Sequence, residues 1–157
     1  MIIKKSLCVV NKMYRNKIIE ALKDKDDKKA YEFAKIITAE SAETDKYYKL
    51  FDSFIEMLDV KSSYVRTRGF RLACAQVRWD EEGKISAAFD RMSELLHDKK
   101  PTVVRQCLNA LHEVALFRTE LSERICKAVK AIDPNIYKDS MAPLIKKDMD
   151  ELLNMLE

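Results

Sequence analysis

Residues 57–76 read MLDVKSSYVRTRGFRLACAQ and residues 96–115 read LHDKKPTVVRQCLNALHEVA. Laid on one another at an offset of 39, they pair Met57-Leu58-Asp59 with Leu96-His97-Asp98 and Val65-Arg66 with Val104-Arg105. Further along, Gly69, Leu72 and Gln76 meet Leu108, Leu111 and Ala115. A weaker, earlier copy lays Leu22 and Asp24 on Met57 and Asp59. The two closer copies each end one helix, turn through an Asp, and open a second helix with Val-Arg. A unit of this length cannot bury its apolar face alone, so neighbouring units are expected to stack.

Outward from this repeat, apolar residues recur at helical spacing in about eight segments, and helix is the only period seen. The first two run roughly 8–23 around Val10, Tyr14, Ile18, Ala21 and Leu22, and roughly 27–40 around Ala30, Phe33, Ala34 and Ile37. Residues 44–58 place Tyr47, Phe51, Phe54, Ile55 and Leu58 on one face, with Thr44 as the expected N-cap. Residues 84–97 repeat the device after Asp80, a capping candidate, and residues 119–132 contribute Leu121, Ile125, Val129 and Ile132. The last helix is expected from near Ser140, with Pro143 in its first turn, where a missing N–H costs little.

Composition points the same way. The chain has 157 residues, enough for one core and short for two ordinary domains. At 47% hydrophobic and 35% charged it is not a disordered tail. Two glycines and three prolines supply few sharp turns, which disfavours a β-sandwich, a barrel or a glycine-looped nucleotide fold.

These residues resemble HEAT repeats, helical hairpins with an Asp at the turn and an Arg early in the second helix, and more narrowly a HEAT-like helical-repeat protein of an uncharacterised bacterial family. The resemblance spans about residues 12–118. It implies an all-α fold, an α-α superhelix of about four helical hairpins in one right-handed stack, forming a single domain over residues 1–157. It also implies a ladder of Asp and Arg between neighbouring repeats, carried here by Asp59, Arg66, Asp98 and Arg105. His112 stands where the family favours leucine. Some relatives of this kind carry an iron–sulfur-assembly label, for which the chain offers no cysteine pattern.

The formal charge of +3 is uninformative, but its distribution is not. Residues 61–79 hold Lys61, Arg66, Arg68, Arg71 and Arg78 with no acid, between segments of net charge −4 and −2. On a helical wheel Val65, Gly69, Leu72, Ala73 and Gln76 form an inward stripe, and Tyr64, Arg68, Arg71 and Arg78 an outward one with Trp79 at its end. Three guanidinium forks and two aromatics could grip anions and stack on bases or peptide. Arginines on an outer helix face are usually solvated, or paired with acids such as Asp80, Glu81 and Glu82.

The leading reading is therefore a non-enzymatic interaction or scaffold protein that holds a macromolecular partner, another protein, on its concave face through Tyr64, Arg68, Arg71, Arg78 and Trp79. The second is a nucleic-acid binder using the arginine stripe, related in architecture to HEAT-like DNA repair glycosylases. A third is self-association through Val103, Cys107, Ala110, Val114 and Phe117, a stripe that the last two helices are expected to cover instead.

No cofactor, metal or catalytic set is expected. Cys8, Cys74, Cys107 and Cys126 are 66, 33 and 19 residues apart, with no CxxC and no histidine at ligand spacing. They are expected to be buried or half-buried thiols. His97-Asp98 and His112-Glu113 are adjacent pairs, which a helix points about 100° apart, and neither has a nucleophile beside it. The apolar run near the amino terminus is too short for a signal peptide, and no run reaches membrane-spanning length, so the expected setting is cytoplasmic, without a membrane partner. Protein purified without added metal should carry none at unit occupancy by elemental analysis; stoichiometric zinc or iron would return the cysteines to consideration.

Overall fold

The computed structural model describes the backbone of residues 2–157 and the side chains of residues 11–157. Cys8 and Val10 lie outside the described side chains. Eight α-helices follow in order among the described residues, with no strand: α1 Ile2–Leu22, α2 Asp27–Ser41, α3 Phe51–Glu56, α4 Ser63–Ala75, α5 Lys84–Ser93, α6 Pro101–Phe117, α7 Ser122–Lys130 and α8 Ala142–Leu156.

Local chemistry sets most of the boundaries. Asp26 accepts the Lys29 N–H at 3.1 Å and starts α2, while Ser62 caps α4 by accepting from Val65. Pro101 opens α6, at a position where its missing N–H has no helical partner to lose. Asp80 caps α5 from across a loop that closes through Gly83 at φ 70°: its two carboxylate oxygens accept the N–H groups of Lys84 at 2.8 Å and Ile85 at 3.0 Å. Buried itself, Asp80 also accepts the Tyr48 hydroxyl at 2.7 Å.

Three boundaries differ from the sequence reading. Thr44 caps no helix; its hydroxyl accepts the Lys46 N–H at 3.3 Å within a turn, and helical geometry starts at Tyr48, because buried Tyr47 is drawn back to Glu40 of α2 through its hydroxyl. The stretch 63–79 is not one helix: α4 stops at Ala75, and a separate 3-10 turn, Val77–Trp79, follows. The last helix begins at Ala142, not at Ser140.

The even-numbered helices pack in sequence, α2 on α4, α4 on α6 and α6 on α8, with each odd-numbered helix from α1 to α5 against its own hairpin partner or the turn beside it. Val65, Leu72, Ala73 and Gln76 are buried as the inward stripe requires. The apolar stripe on α6 is covered within the chain: Val103, Cys107 and Val114 are buried, Ala110 is half-buried, and only Phe117 stays exposed. Among the described residues no helix is long and apolar enough to cross a membrane.

Gly69 sets how closely α3 approaches α4. A methyl group placed on it would lie 2.6 Å from the Phe54 carbonyl oxygen and 2.7 Å from the Met57 Cβ. Both neighbours are fixed to the backbone, so the two elements would have to separate around fully buried Phe54 and Met57. Gly69→Ala is therefore expected to destabilise by about 1–3 kcal/mol, overriding the roughly 1 kcal/mol that alanine gains over glycine in a helix. Urea unfolding monitored by circular dichroism checks the sign.

Candidate interaction groove across α2, α4 and α6

The ladder residues are placed by the turns between helices. Arg66 gives one nitrogen to the Val60 and Lys61 carbonyls at 3.1 and 2.7 Å, closing the turn before α4, and another to Asp98 at 2.8 Å in the next turn. Asp98 in turn caps its own loop by accepting the Lys100 N–H at 2.9 Å, and its carbonyl accepts the Tyr137 hydroxyl at 2.7 Å. Arg105 has no further turn Asp to reach and pairs instead with Asp148 of α8, at 2.5 Å. That carboxylate holds the Arg105 pKa above its ordinary value, chiefly by accepting its hydrogen bond. Asp59 takes Arg91 of α5 as its partner. The first hairpin offers it no arginine, because Tyr31 stands where Arg66 stands when Leu22 and Asp24 are laid on Met57 and Asp59.

The outward stripe does not survive as a set. Arg68 is only 5% exposed; it donates to the Leu22 carbonyl at 2.5 Å and to Asp27 at 2.7 Å, so it ties the α1–α2 turn onto α4. The helical wheel gave its direction, but the preceding turn lies over it. Arg78 and Trp79 lie beyond the end of α4. Arg78 is engaged by Glu113 at 3.3 Å and by the Ala42 carbonyl, with its guanidinium 4.7 Å from the centre of the Phe117 ring. Trp79 is half-buried and donates its indole N–H to the Ser41 carbonyl at 2.7 Å, at the carboxyl end of α2. Reversing the charge at Arg68, Arg71 and Arg78 together, which an exposed stripe would tolerate, would here bury a carboxylate at position 68.

Two members remain open. Tyr64 is 61% exposed, and half-buried Arg71 makes one long contact, 3.4 Å, to the Gln106 amide oxygen. Between them, α2 and α6, lies a hollow of about 510 Å³. Smaller hollows continue from it along α2 towards Thr38 and along α6 towards Asn109, and Tyr31 and Arg71 line all three. Their shared position makes this pair the centre of the groove.

The groove adds residues that the sequence reading passed over: Lys28, Tyr31 and Lys35 on α2, and Lys100 before α6. The three on α2 fall at i, i+3 and i+7, a basic and aromatic stripe beside the buried Ala30, Ala34 and Ile37. A wheel of α2 like that drawn for α4 carries this signal. Lys100 carries none, being outside any helix. Its ammonium donates to the Ser63 hydroxyl at 2.9 Å and lies 5.9 Å from the Tyr64 ring centre. Among the described residues, no carboxylate comes within 4.0 Å of Arg71, Lys28 or Lys100.

Cys74 and Cys107 are buried, and burial pushes both thiols well above the ordinary cysteine range; Cys126 is half-buried. Among the described residues, no three His, Cys, Asp or Glu side chains come together as a metal ion would need. A comparison with known protein families, curated proteins and solved structures finds no match to this chain.

The two kinds of arginine should separate in unfolding experiments. Arg68→Ala strands the Leu22 carbonyl and is expected to cost about 2–4 kcal/mol, and Arg66→Ala about 1–3 kcal/mol by unpairing the largely buried Asp98. Arg71→Ala should stay within about 0.5 kcal/mol of the parent. Equal stability of all three variants would remove the distinction.

Proposed function

We propose that this chain is a short HEAT-like helical-repeat protein, its hairpins stacked in one right-handed superhelix, that works without catalysis by holding another protein on the concave face formed by α2, α4 and α6. The observation that carries the reading is the groove centred on Arg71 and Tyr31. It presents an uncommitted guanidinium beside two exposed tyrosines, while the other arginines lining the groove, Arg68 and Arg105, are paired with Asp27 and Asp148 of the same chain. Tyrosine and arginine are the residues enriched where interfaces derive most of their energy. Support for the repeat architecture comes from the Arg66–Asp98 pair, which joins equivalent turns of successive hairpins, and from the sequential packing of the even-numbered helices. Lying across three of those helices, the groove has the position in which stacked-hairpin proteins carry their partner surfaces.

Affinity capture from extracts of the native cell tests this, run with and without nuclease and with the Tyr31→Ala/Tyr64→Ala variant beside the parent. A protein held by the parent, kept under nuclease and lost by the variant is the expected result. Loss of the partner under nuclease transfers the face to nucleic acid, the second reading of the basic stripe. Retention by the variant moves the binding face elsewhere on the molecule.

A further inference from the structure

Resting on the interaction reading, we propose that the segment seated in the groove is an extended, acidic stretch of the partner protein, with one of its carboxylates held by Arg71. The charge balance of the groove leads there first. The carboxylates that line it are already matched, Asp27 by Arg68 at 2.7 Å and Asp148 by Arg105 at 2.5 Å. What is left facing the central hollow is Lys28, Arg71 and Lys100, all of one sign. The Arg71 guanidinium spends only a 3.4 Å contact on Gln106, so its planar fork is available for two parallel hydrogen bonds to a carboxylate.

The floor of the groove selects the shape of the occupant. An amphipathic helix docks by placing apolar side chains in apolar pockets. In the central hollow and along α6 the walls carry the hydroxyls of Ser63, Thr67 and Thr102 and the amides of Gln106 and Asn109. The apolar lining is Val103 there and Ala34, Ala39 and Leu72 in the small hollow along α2, and the large exposed rings are both tyrosines. Hydroxyl and amide groups of this kind suit an extended backbone, whose N–H and C=O groups are still unpaired. Three adjacent helices at spacings of roughly 8–10 Å give a width near 16–20 Å. A strand-like segment of about five or six residues crosses that distance.

The same charges weigh against a nucleic-acid strand. Phosphate binding through arginine forks needed Arg68 and Arg78 as well as Arg71, and the first is buried while the second is engaged by Glu113. Asp148 of α8 also stands at one edge of the face, lining the hollow along α6. A phosphodiester backbone carries a charge at every step and meets this carboxylate when it leaves the centre on that side. A peptide can hold its acids over the centre and pass that edge with neutral residues.

The test probes the full chain with an array of immobilised random decapeptides and, in parallel, with a fluorescent fifteen-nucleotide oligo(dT). The parent is expected to select peptides enriched in Asp and Glu, to bind the best of them about tenfold or more tighter than their Asn/Gln counterparts, and to bind oligo(dT) more weakly. Arg71→Glu should abolish the enrichment, while Arg71→Lys keeps part of it. Lys28→Glu provides an independent reversal at a position where an acid suits the helix start, so a folding defect at Arg71 would not decide the matter. Peptides without acidic enrichment that are still lost in Tyr31→Ala/Tyr64→Ala overturn the acidic partner and leave the interaction face standing. Peptide binding untouched by every groove variant overturns both. No peptide above background, or oligo(dT) binding tighter than the peptides and lost in Arg71→Glu, also overturns the proposal.

Discussion

The buried guanidinium of Arg68 governs how the helices of this protein sit on one another. It occupies the space between α4 and the α1–α2 turn, bonded to the last turn of α1 through the Leu22 carbonyl and to the first residue of α2 through Asp27. Two residues earlier on the same helix, about 200° around its axis, Arg66 reaches the other way to Asp98. Helix α4 is thereby held from both sides, and its register against α2 and α6 cannot slip by a turn without breaking one of these bonds. With that register set, Tyr64 and Arg71 are delivered to the open side between their neighbours. Loss of the Arg68 bonds would release the α1–α2 turn and the α2 wall of the groove together.

Apolar burial supplies the bulk of the stability, as Phe51, Phe54, Phe70 and the leucines around them imply; the charged bonds supply direction. The far end of the α2–α4 contact follows the same division. Ser41 at the end of α2 accepts the Gln76 amide on its hydroxyl at 3.0 Å and the Trp79 indole on its carbonyl at 2.7 Å. A helix fastened at both ends presents Lys28, Tyr31 and Lys35 as a fixed row instead of a frayed one. The interactions that define the groove therefore lie beneath it, and the residues inside it are left with little structural work.

That arrangement explains which parts were legible in the sequence. Helices could be read because apolar residues recur with one period, with almost no Gly or Pro to interrupt them; Arg66 and Asp98 could be named as ladder residues from the repeat and the resemblance it carries, but which acid meets which arginine could not. Arg68 could not be placed: a helical wheel gives an azimuth and no depth, and the atoms that bury it are 46 residues away in sequence. Arg78 and Trp79 were misplaced for a different reason, since the wheel was continued past Gln76, where the backbone turns from α to 3-10 geometry. Lys28 and Tyr31 were readable in principle. Each looks unremarkable on α2 alone and gains meaning only when α4 is laid beside it.

Arg71 has the same sequence signature as Arg68, an arginine in a basic stretch of an amphipathic helix, and the opposite fate. One is consumed by the fold; the other is half-buried with a single long contact. A guanidinium held partly out of water without a carboxylate stabilises little, and an aliphatic residue at that position would pack as well at no electrostatic cost. The carboxylates that line the groove are each spent on another arginine, so Arg71, flanked by tyrosines, is left unmatched. Departures of this kind, where a fold forgoes an available stabilising choice, are characteristic of sites kept for an external partner. Among the described residues, the groove stands out because its own carboxylates are spent on Arg68 and Arg105, while Lys28, Arg71 and Lys100 share one hollow with no carboxylate paired to any of them.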